Sequence, residues 1–299
     1  KLSEIAEKTG VDLKILDCSA EFKSKVTDYF IKAYVSGLTP NPCIVCNPLI
    51  KFGTVLSFAK KLGATSLATG HYARINKDDF GKYHLLRGID KKKDQSYFLS
   101  RLTQEQLSFA CFPLGNITKD EVKKIAVGKG LASLAGNESQ DICFTENKTY
   151  GEFIAGQSLD KSRAGIIEDV NGNIIGKHQG LHLFTVGQRR GINCPASEPY
   201  YVIRIDIKRN RLVVGFKENI YSRELETENI NWINNRPSAP IRVATQIRGR
   251  HIPAPSTLFS AGESRAKIIF DTPQSSITSG QGAVFYRGDE VIGGGWIVS

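Results

Sequence analysis

Residues 52–70, with the sequence FGTVLSFAKKLGATSLATG, contain a helical pattern followed at once by a strand pattern. Apolar side chains recur at helical spacing as far as Leu62, and Gly63 is a typical helix stop. Residues 66–70 then predict a buried strand that ends in a turn at Gly70. A helix that leads into a short apolar strand is typical of a parallel α/β layer.

The same alternation of helix and strand patterns extends over residues 1–147. Residues 11–16 predict a further strand, and residues 22–34 predict a helix with apolar side chains on one face. The first half of the chain is therefore predicted to be a parallel α/β domain.

After about Gly151 the pattern changes to short strands separated by turn residues. Asn171-Gly172 is a strong signal for a type I′ hairpin, and residues 208–211 form the basic tip of a second hairpin. We therefore predict an α/β plus β protein, in which a parallel-sheet domain (1–150) precedes a central β domain (151–217) and a C-terminal β-barrel-like domain (218–299).

The composition of the 299 residues excludes several classes of protein. Hydrophobic residues make up 40% and charged residues 23%, which are ordinary values for a globular chain. Six cysteines are too few and too unevenly spaced for a secreted disulfide scaffold. No apolar run approaches the ~18 residues that a membrane span needs. The net charge of +10 favours a polyanionic partner such as nucleic acid.

The sequence contains no methionine, and it begins with Lys1. Because translation starts at a methionine codon, we expect further residues to precede Lys1. A motif that belongs to that part of the protein is not visible in this sequence.

Residues 39–47, TPNPCIVCN, form the most informative motif for chemistry. Two prolines restrict the backbone before a Cys-x-x-Cys pair, and a helix that starts near Cys43 would place both thiols in its first turns. The helix dipole there favours thiolate over thiol, which makes Cys46 or Cys43 a candidate nucleophile. A structural zinc site needs four ligands and this pair supplies two, so zinc is disfavoured and a buried, unreactive pair is the alternative.

A third thiol, Cys143, lies in the segment ESQDICF, residues 138–144. By itself Cys143 is predicted to pack as a small hydrophobic residue, as are Cys18, Cys111 and Cys194. If Cys143 lies close to Cys43 and Cys46 in the folded protein, two kinds of chemistry are possible. Three thiolates would hold an iron-sulfur cluster with one open iron, or two thiols would exchange sulfur, one carrying it and the other releasing it.

Several loops combine glycine or polar residues with basic residues. Gly70 follows a predicted strand, where parallel sheets commonly contact nucleotides, while the adjacent His71 fits a core position equally well. Residues 91–98, KKKDQSYF, join a basic cluster to polar and aromatic side chains, although this composition also fits a solvated loop. Residues 187–191 and 248–250 place arginine on glycine-containing loops that suit phosphate contacts.

Taken together, these segments resemble the bacterial and organellar family of tRNA-specific 2-thiouridylases, which thiolate the wobble uridine (position 34) of certain tRNAs. The blocks that match in order along the chain are residues 39–52, 68–74, 93–99, 139–144, 176–180 with 185–191, and 293–295. The resemblance implies an adenine-nucleotide alpha-hydrolase-like domain, a PP-loop ATPase, followed by two β domains. The phosphate loop of that family would precede Lys1, so we expect the first part of this domain to be missing.

The resemblance also implies roles for individual residues. Cys46 corresponds to the nucleophile, Cys143 to the residue that carries a persulfide, and Gly70 to an ATP-binding position. The residues implied to contact tRNA are Asn41, Pro42 and Cys43 at the target base, Lys93, Asp94 and Gln95, and Arg248 and Gly249. Some members have an aromatic residue in place of Gly249. Others have Asp in place of Cys43, and the extra thiol favours the alternative of iron-sulfur ligation by Cys43, Cys46 and Cys143.

The implied reaction uses ATP and Mg2+ to adenylate uridine O2, which turns a poor leaving group into AMP. The terminal sulfur of a Cys143 persulfide then attacks C2, and Cys46 attacks the persulfide, which leaves a Cys46 to Cys143 disulfide for reduction. The alternatives are the same thiolation with a [4Fe-4S] cluster, and a non-catalytic tRNA-binding protein.

The implied partners are the anticodon arm of tRNA and a sulfur-donor protein of a cysteine desulfurase relay. Basic loops of the β domains would hold the RNA while the target base is flipped out of its stack. We further expect a cytoplasmic monomer with no membrane contact.

Overall fold

The computed structural model describes residues 2–131, 142–145, 148–157 and 163–298. Within these ranges the α-helices are α1 (Leu2–Thr9), α2 (Ser19–Phe22), α3 (Asp28–Val35), α4 (Pro42–Cys46), α5 (Leu56–Lys61), α6 (Ser96–Leu99), α7 (Gln104–Phe109), α8 (Lys119–Gly128) and α9 (Tyr150–Ala155). The strands are β1 (Leu67–Ala68), β2 (Ala73–Lys77), β3 (Tyr83–Arg87), β4 (Ala110–Cys111), β5 (Gly165–Asp169), β6 (Ile174–His178), β7 (Tyr201–Asp206), β8 (Arg211–Gly215), β9 (Tyr221–Trp232), β10 (Ile241–Gln246), β11 (Ala254–Ala261), β12 (Arg265–Ser275), β13 (Gly282–Arg287) and β14 (Glu290–Ile297). The π-helical segments Lys23–Thr27 and Asn47–Val55 connect α2 to α3 and α4 to α5.

The N-terminal region contains several helices and a small parallel sheet. β1 pairs with β4 in parallel, with Leu67 opposite Ala110 and Ala68 opposite Cys111. This arrangement confirms the α/β class of the region. The helices predicted over residues 22–34 and 52–62 are also present, and Gly63 ends the second of them with a left-handed φ of 82°.

The strand predicted over residues 11–16 is wrong, because these residues form no regular secondary structure. Val11, Leu13 and Ile15 alternate as in a strand, but all three side chains are exposed. Alternation stabilises a strand only where a neighbouring strand and a core receive the apolar face. The strand predicted over residues 66–70 is likewise shortened to β1, and it is only partly buried.

The central region is a four-stranded sheet with the order β6-β5-β8-β7. β5 and β6 form the antiparallel hairpin predicted from Asn171-Gly172, and Gly172 has a φ of 87°. The predicted type I′ turn is wrong, because Asn171 does not have the positive φ that this turn requires. β7 and β8 form the second predicted hairpin, and β5 pairs with β8 in parallel. The two hairpins bury a separate core that includes Ile167, Val202 and Leu212.

The C-terminal strands form a closed antiparallel barrel. Their order is β13-β10-β11-β12-β9-β14, and an additional β13 to β14 pairing closes the ring. The hairpin of β2 and β3 from the N-terminal region extends the same sheet, since β3 pairs with β14 at Leu86 and Glu290. The predicted order of an α/β domain followed by two β regions is therefore confirmed.

The helix that carries the Cys-x-x-Cys pair packs against the outside of this barrel. Ile44 and Phe52 share one buried cluster with Tyr97 and with Val284 and Tyr286 of β13. Among the described residues, the helical run Pro42–Lys61 is long and apolar enough to pass a composition test for a membrane span. Helices in the core of globular proteins pass the same test, and the buried face of this run is that of a core helix.

Candidate functional site

The predicted helix at the Cys-x-x-Cys pair is present as α4, which begins at Pro42. Asn41 is its N-cap, and the Asn41 side-chain oxygen accepts a hydrogen bond from the Ile44 backbone N–H at 3.3 Å. The Asn41 amide lies 3.5 Å from Gln281 Oε1, and the Gln281 amide donates to the backbone oxygens of Thr39 and Pro40. The barrel residue Gln281 thus fixes the start of the thiol helix, a role for which the sequence carried no signal.

A cavity of about 470 Å³ lies beside this helix. It brings together seven of the residues predicted from the sequence, which are Asn41, Pro42, Cys43, Lys93, Asp94, Gln95 and Gly249. Its wall also contains Asn47, Lys51, His71, Phe98, Ile142 and Arg250. Residues more than 200 positions apart in the sequence therefore line one space.

Desolvation changes the chemistry expected of the two helix thiols, although Cys43 is exposed and Cys46 is partly buried. Partial loss of hydration raises the pKa of Cys46 to about 11, with Lys51 acting in the opposite direction and Cys143, Cys43 and Cys18 adding to the rise. The pKa of Cys43 is also raised, first by desolvation and then by Cys143. The prediction that the thiolate would be favoured at these positions is wrong, because the pKa of both thiols is raised and desolvation is the largest cause.

Lys51 and His71 form a polar pair in the same cavity. Lys51 Nζ lies 3.3 Å from His71 Nε2, and Thr69 Oγ1 lies 2.8 Å from His71 Nδ1. Desolvation, followed by the charge of Lys51, lowers the pKa of His71 to about 3, so the ring is neutral at pH 7. The Lys51 ammonium must then donate to Nε2, which leaves Nδ1 as the donor to Thr69. Sequence reasoning missed Lys51, since a single lysine in an amphipathic helix carries no distinguishing signal.

Cys143 is exposed, contrary to the expectation that it would pack as a buried hydrophobic residue by itself. Its charge raises the pKa of both Cys43 and Cys46, so the three thiols are electrostatic neighbours. Residues 139–141 of the same motif lie outside the described part of the chain. Cys18 also raises the pKa of Cys46 and is a further neighbour that the sequence did not reveal. Cys111 is exposed and Cys194 is partly buried.

The basic segment predicted to contact tRNA forms one rim of the cavity. Lys92 and Lys93 line the opening. Asp94 accepts hydrogen bonds from Gly88 N, Ser96 N and Ser96 Oγ, and desolvation raises the pKa of its carboxyl group. Gln95 Oε1 accepts from the Tyr72 backbone N–H at 3.1 Å. The side chains of Asp94 and Gln95 thus hold the loop in position, while the lysines carry its positive charge.

The other two predicted contacts fall at different places. Arg248 lines a neighbouring cavity with Thr39 and Gln281 and donates to Ser275 O at 3.1 Å, whereas Gly249 lines the thiol cavity. Gly70 lies between β1 and His71. A Cβ at Gly70 would make only ordinary contact, 3.8 Å from Leu114, so the fold itself does not require glycine there.

An iron-sulfur cluster held by Cys43, Cys46 and Cys143 would require the three thiols to lie close together. Within the described residues, which include Cys43, Cys46 and Cys143, no group of three or more His, Cys, Asp or Glu side chains lies close enough together to hold a metal ion. The donor set therefore does not fit a cluster in this arrangement of the chain.

Three family models match the chain in order. They are described as the tRNA methyl transferase HUP domain (residues 1–147), the tRNA methyl transferase PRC-barrel domain (152–216) and the Aminomethyltransferase beta-barrel domain (222–297). The class of protein is thus a HUP domain followed by a PRC-barrel domain and a β-barrel domain.

Comparison with curated proteins identifies the family within that class. The tRNA-specific 2-thiouridylase MnmA of Desulfosudis oleivorans is 46% identical over 297 residues, which cover 99% of this chain and 83% of that protein. The proteins of the same name from Geotalea uraniireducens and Syntrophotalea carbinolica are 43% and 45% identical, over 98% of this chain and over 78% and 83% of their own lengths. The chain belongs to the tRNA-specific 2-thiouridylase family, as the ordered motifs indicated.

Proposed function

We propose that the protein is a tRNA-uridine 2-sulfurtransferase, which replaces O2 of a wobble uridine with sulfur. One observation supports this proposal most strongly. The helix that carries Cys43 and Cys46 lies beside a cavity that Lys93 and Arg250 also line. Cys143 is close enough to raise the pKa of Cys46. The family models name methyl transfer and the relatives name thiolation. Neighbouring thiols are the groups that sulfur exchange requires, and they favour thiolation.

Activation of the uridine is proposed to use ATP: O2 forms a bond to the α-phosphorus, the bond between the α- and β-phosphates breaks and pyrophosphate leaves, so that O2 becomes the oxygen of an AMP leaving group. A HUP domain and the open surroundings of Gly70 support nucleotide binding, since a ligand can approach the backbone closely at a glycine that the fold does not need. Mg2+ usually binds phosphate oxygens and water with one or two carboxylates. No acidic cluster among the described residues identifies such ligands.

Sulfur transfer is proposed to follow the persulfide relay. The terminal sulfur of a Cys143 persulfide forms a bond to C2 of the activated uridine, and AMP leaves. The Cys46 thiolate then attacks Sγ of Cys143, and the S–S bond of the persulfide breaks, with its electron pair going to the sulfur on C2. The products are 2-thiouridine and a Cys46 to Cys143 disulfide, which an external dithiol reduces.

The environment of Cys46 determines what this step requires. With a pKa of about 11, Cys46 rests as a thiol and must lose its proton when it attacks. His71, with a pKa of about 3, is a poor proton acceptor, whereas the positive charge of Lys51 stabilises the thiolate. The resting thiol is protected from oxidation until substrate is bound.

We also propose partners for the protein, limits for its domains and a location in the cell. The exposed side chain of Cys143 suits delivery of sulfur by a partner protein, and the basic rim suits the phosphates of an anticodon arm. We propose that the domains span residues 1–150, 151–217 and 218–299. The boundary between the second and third domains falls in the 3-10 turn Lys217–Ile220. A monomer in the cytoplasm completes the proposal.

The test is ATP-dependent formation of 2-thiouridine by the full-length protein, measured by mass spectrometry of digested tRNA. Cys46→Ser and Cys143→Ser should each abolish the product, because each removes one of the two exchanging sulfurs. Cys111→Ser and Cys194→Ser are matched controls that should retain it. Product formation by either of the first two variants would refute the role of that thiol.

Iron content separates the two sulfur chemistries. Protein purified without oxygen should be active when colourless and free of iron if the persulfide relay operates. Activity that rises and falls with bound iron would instead support the cluster. Binding of tRNA without any thiolation, with ATP and a sulfur source present, would leave a tRNA-binding protein as the function.

A further inference from the structure

A second cavity, of about 890 Å³, lies apart from the thiol cavity, and among the described residues the two have no lining residue in common. Its wall is formed by the tip of the β2–β3 hairpin, the loop between β9 and β10, and the turn between β13 and β14. We call it the distal cavity. The charged and titratable side chains that line it are Asp78, Lys82, His84, Arg236, Arg287 and Glu290.

The two carboxylates of the distal cavity are bound within its own wall. His84 Nε2 lies 3.1 Å from Asp78 Oδ2, and His84 Nδ1 lies 2.6 Å from Glu290 Oε1. Asp78 Oδ1 also accepts hydrogen bonds from the backbone N–H groups of Phe80 and Lys82, which holds the tip of the hairpin in place. Glu290 and then Asp78 raise the pKa of His84 and so favour its charged ring. The negative charges of the wall are therefore directed at His84 rather than at a ligand.

Two arginines of the same wall are available to a ligand. Arg236 and Arg287 are exposed, and neither side chain has a hydrogen bond or an ion pair to any residue in the described ranges. Lys82 Nζ donates to Asn235 Oδ1 at 3.0 Å, which ties the tip of the hairpin to the loop that carries Arg236. Guanidinium groups bind phosphate through paired hydrogen bonds, so the distal cavity suits an anion of this kind.

The basic rim of the thiol cavity is joined directly to the turn that carries Arg287. Lys91 Nζ donates to Asp289 Oδ1 at 2.6 Å, and Arg74 Nη2 donates to Asp289 Oδ2 at 2.8 Å. Lys92, the next residue in the chain, is exposed at the opening of the thiol cavity. A polyanion that extends out of the thiol cavity over Lys92 therefore finds further positive charge at Arg287, on the other side of this ion pair.

Strand β13 gives the scale of the separation between the two cavities. Gly282, at its start, lies against Ile44 of the thiol helix, and Arg287, at its end, lines the distal cavity. Five residue steps of a strand span ~17 Å, which is on the order of five base-pair steps of a double helix. An RNA whose target base lies in the thiol cavity can therefore reach the distal cavity with its paired stem.

We infer that the distal cavity binds the sugar-phosphate backbone of the paired anticodon stem, with Arg236 and Arg287 on its phosphates. This inference rests on the proposed function and adds a second RNA contact, separate from the target base. Phosphate contacts position a nucleic acid without reading its sequence. A stem held here sets the distance and angle at which the loop enters the thiol cavity. The contact consequently favours a uridine in a stem-loop over one in an unpaired strand.

The test compares the double variant Arg236→Ala, Arg287→Ala with the unmodified protein, using fluorescence anisotropy of two RNAs. One is an anticodon stem-loop with uridine at the wobble position, and the other is a linear RNA that contains the loop sequence alone. The dissociation constant for the stem-loop should rise about 5- to 25-fold, because two exposed phosphate contacts are lost. The slope of log Kd against log salt concentration should fall by about 2. The linear RNA should bind with unchanged affinity.

Arg204→Ala is the matched control, since Arg204 of β7 is exposed and lines neither cavity. It should bind both RNAs as the unmodified protein does, and thermal unfolding should show that all variants are folded. Unchanged binding of the stem-loop by the double variant would refute the stem contact. An equal loss for the linear RNA, or an equal loss in Arg204→Ala, would refute it as well, because either would be a general effect of charge.

Kinetics separate this inference from the proposed function. In thiolation assays the double variant should raise KM for the stem-loop and leave kcat unchanged, because the contact is made equally in the ground state and the transition state. Protein that thiolates wobble uridine with the same KM in the double variant refutes the distal contact alone. Protein that forms no 2-thiouridine with any RNA refutes the proposed function, whatever the binding data show.

Discussion

The parallel sheet of the N-terminal region and the barrel of the C-terminal region differ in the length of their strands and in the number of partners that each strand has. β1 and β4 have two residues each, and each strand has one partner in the described part of the chain. The barrel strands are 6 to 12 residues long and close into a ring through β13 and β14. Closure leaves no free edge and encloses a core, whereas a two-stranded sheet buries little.

This difference shows which region holds the site. The Cys-x-x-Cys helix belongs to the N-terminal region by sequence, but Ile44 packs in a cluster with Val284 and Tyr286 of the barrel. Gln281 holds the loop before the helix, and Tyr97 is bonded to Gly282 O. The thiol helix is therefore positioned in part by the C-terminal barrel, some 240 residues further along the chain.

The largest effect is expected when one apolar side chain is truncated at the contact between helix and barrel and another in the parallel sheet. Ile44→Ala, at a residue 1% exposed, should lower the free energy of unfolding by about 2–5 kcal/mol, because it leaves a cavity between the helix and the barrel. Leu67→Ala in the partly buried β1 should lower it by about 1 kcal/mol. Urea unfolding measures both. Equal losses would mean that the parallel sheet is as important as the barrel contact.

A smaller effect is expected from adding a methyl group in each region. In Gly282→Ala the new Cβ would lie 2.6 Å from Ile44 Cδ1, so overpacking should destabilise the protein by about 1–3 kcal/mol. In Gly128→Ala, at the end of α8, the Cβ meets nothing within 4 Å. Alanine is the better helix former, and it should stabilise by about 0.5–1 kcal/mol. Thermal unfolding should give shifts of opposite sign, and a neutral Gly282→Ala would show that the helix can move away from the barrel.

The smallest effect concerns the contact between the β2–β3 hairpin and the barrel. His84 Nδ1 lies 2.6 Å from Glu290 and Nε2 lies 3.1 Å from Asp78, and these hydrogen bonds raise its pKa. The contribution of His84 to stability is then complete below the unfolded pKa of about 6.5 and is lost as the pH rises through the folded value. His84→Gln should therefore destabilise more at pH 6 than at pH 9, by urea unfolding.

His182 of the central region serves as a control, because its contribution to stability is expected to change with pH in the opposite direction. Burial lowers the pKa of His182, so its contribution is complete above about pH 6.5 and is lost as the pH falls. A destabilisation by His84→Gln that did not depend on pH would contradict a charged link between hairpin and barrel.

The sequence allowed much of the architecture to be predicted. Local signals were sufficient where they were strong, as for the hairpin at Gly172 and the helix that follows the two prolines. They were insufficient for residues 11–16, where the period was correct but no neighbouring strand was available. A pattern of apolar residues specifies which face must be buried, and it does not specify whether a partner is present.

The candidate site was predictable to a different degree. The sequence motifs identified Cys43, Cys46, Lys93, Asp94, Gln95 and Gly249 as residues of one function, and the structure brings five of these to one cavity and Cys46 to the helix beside it. Lys51, Asn47 and Phe98 also line this cavity but were not singled out from the sequence, because their position in it depends on neighbours that are distant in sequence.

By itself, the sequence determined the class of fold, the family and the thiols, since these depend on local periodicity and on ordered motifs. Only the tertiary structure decided the protonation state of Cys46. A position at the start of a helix predicts a thiolate, but desolvation by residues packed from elsewhere raises the pKa of Cys46 to about 11 and keeps the proton on sulfur. Tertiary packing also oriented the Asn47 amide, because its Nδ2 donates to Phe98 O, a backbone atom 51 residues away in the sequence.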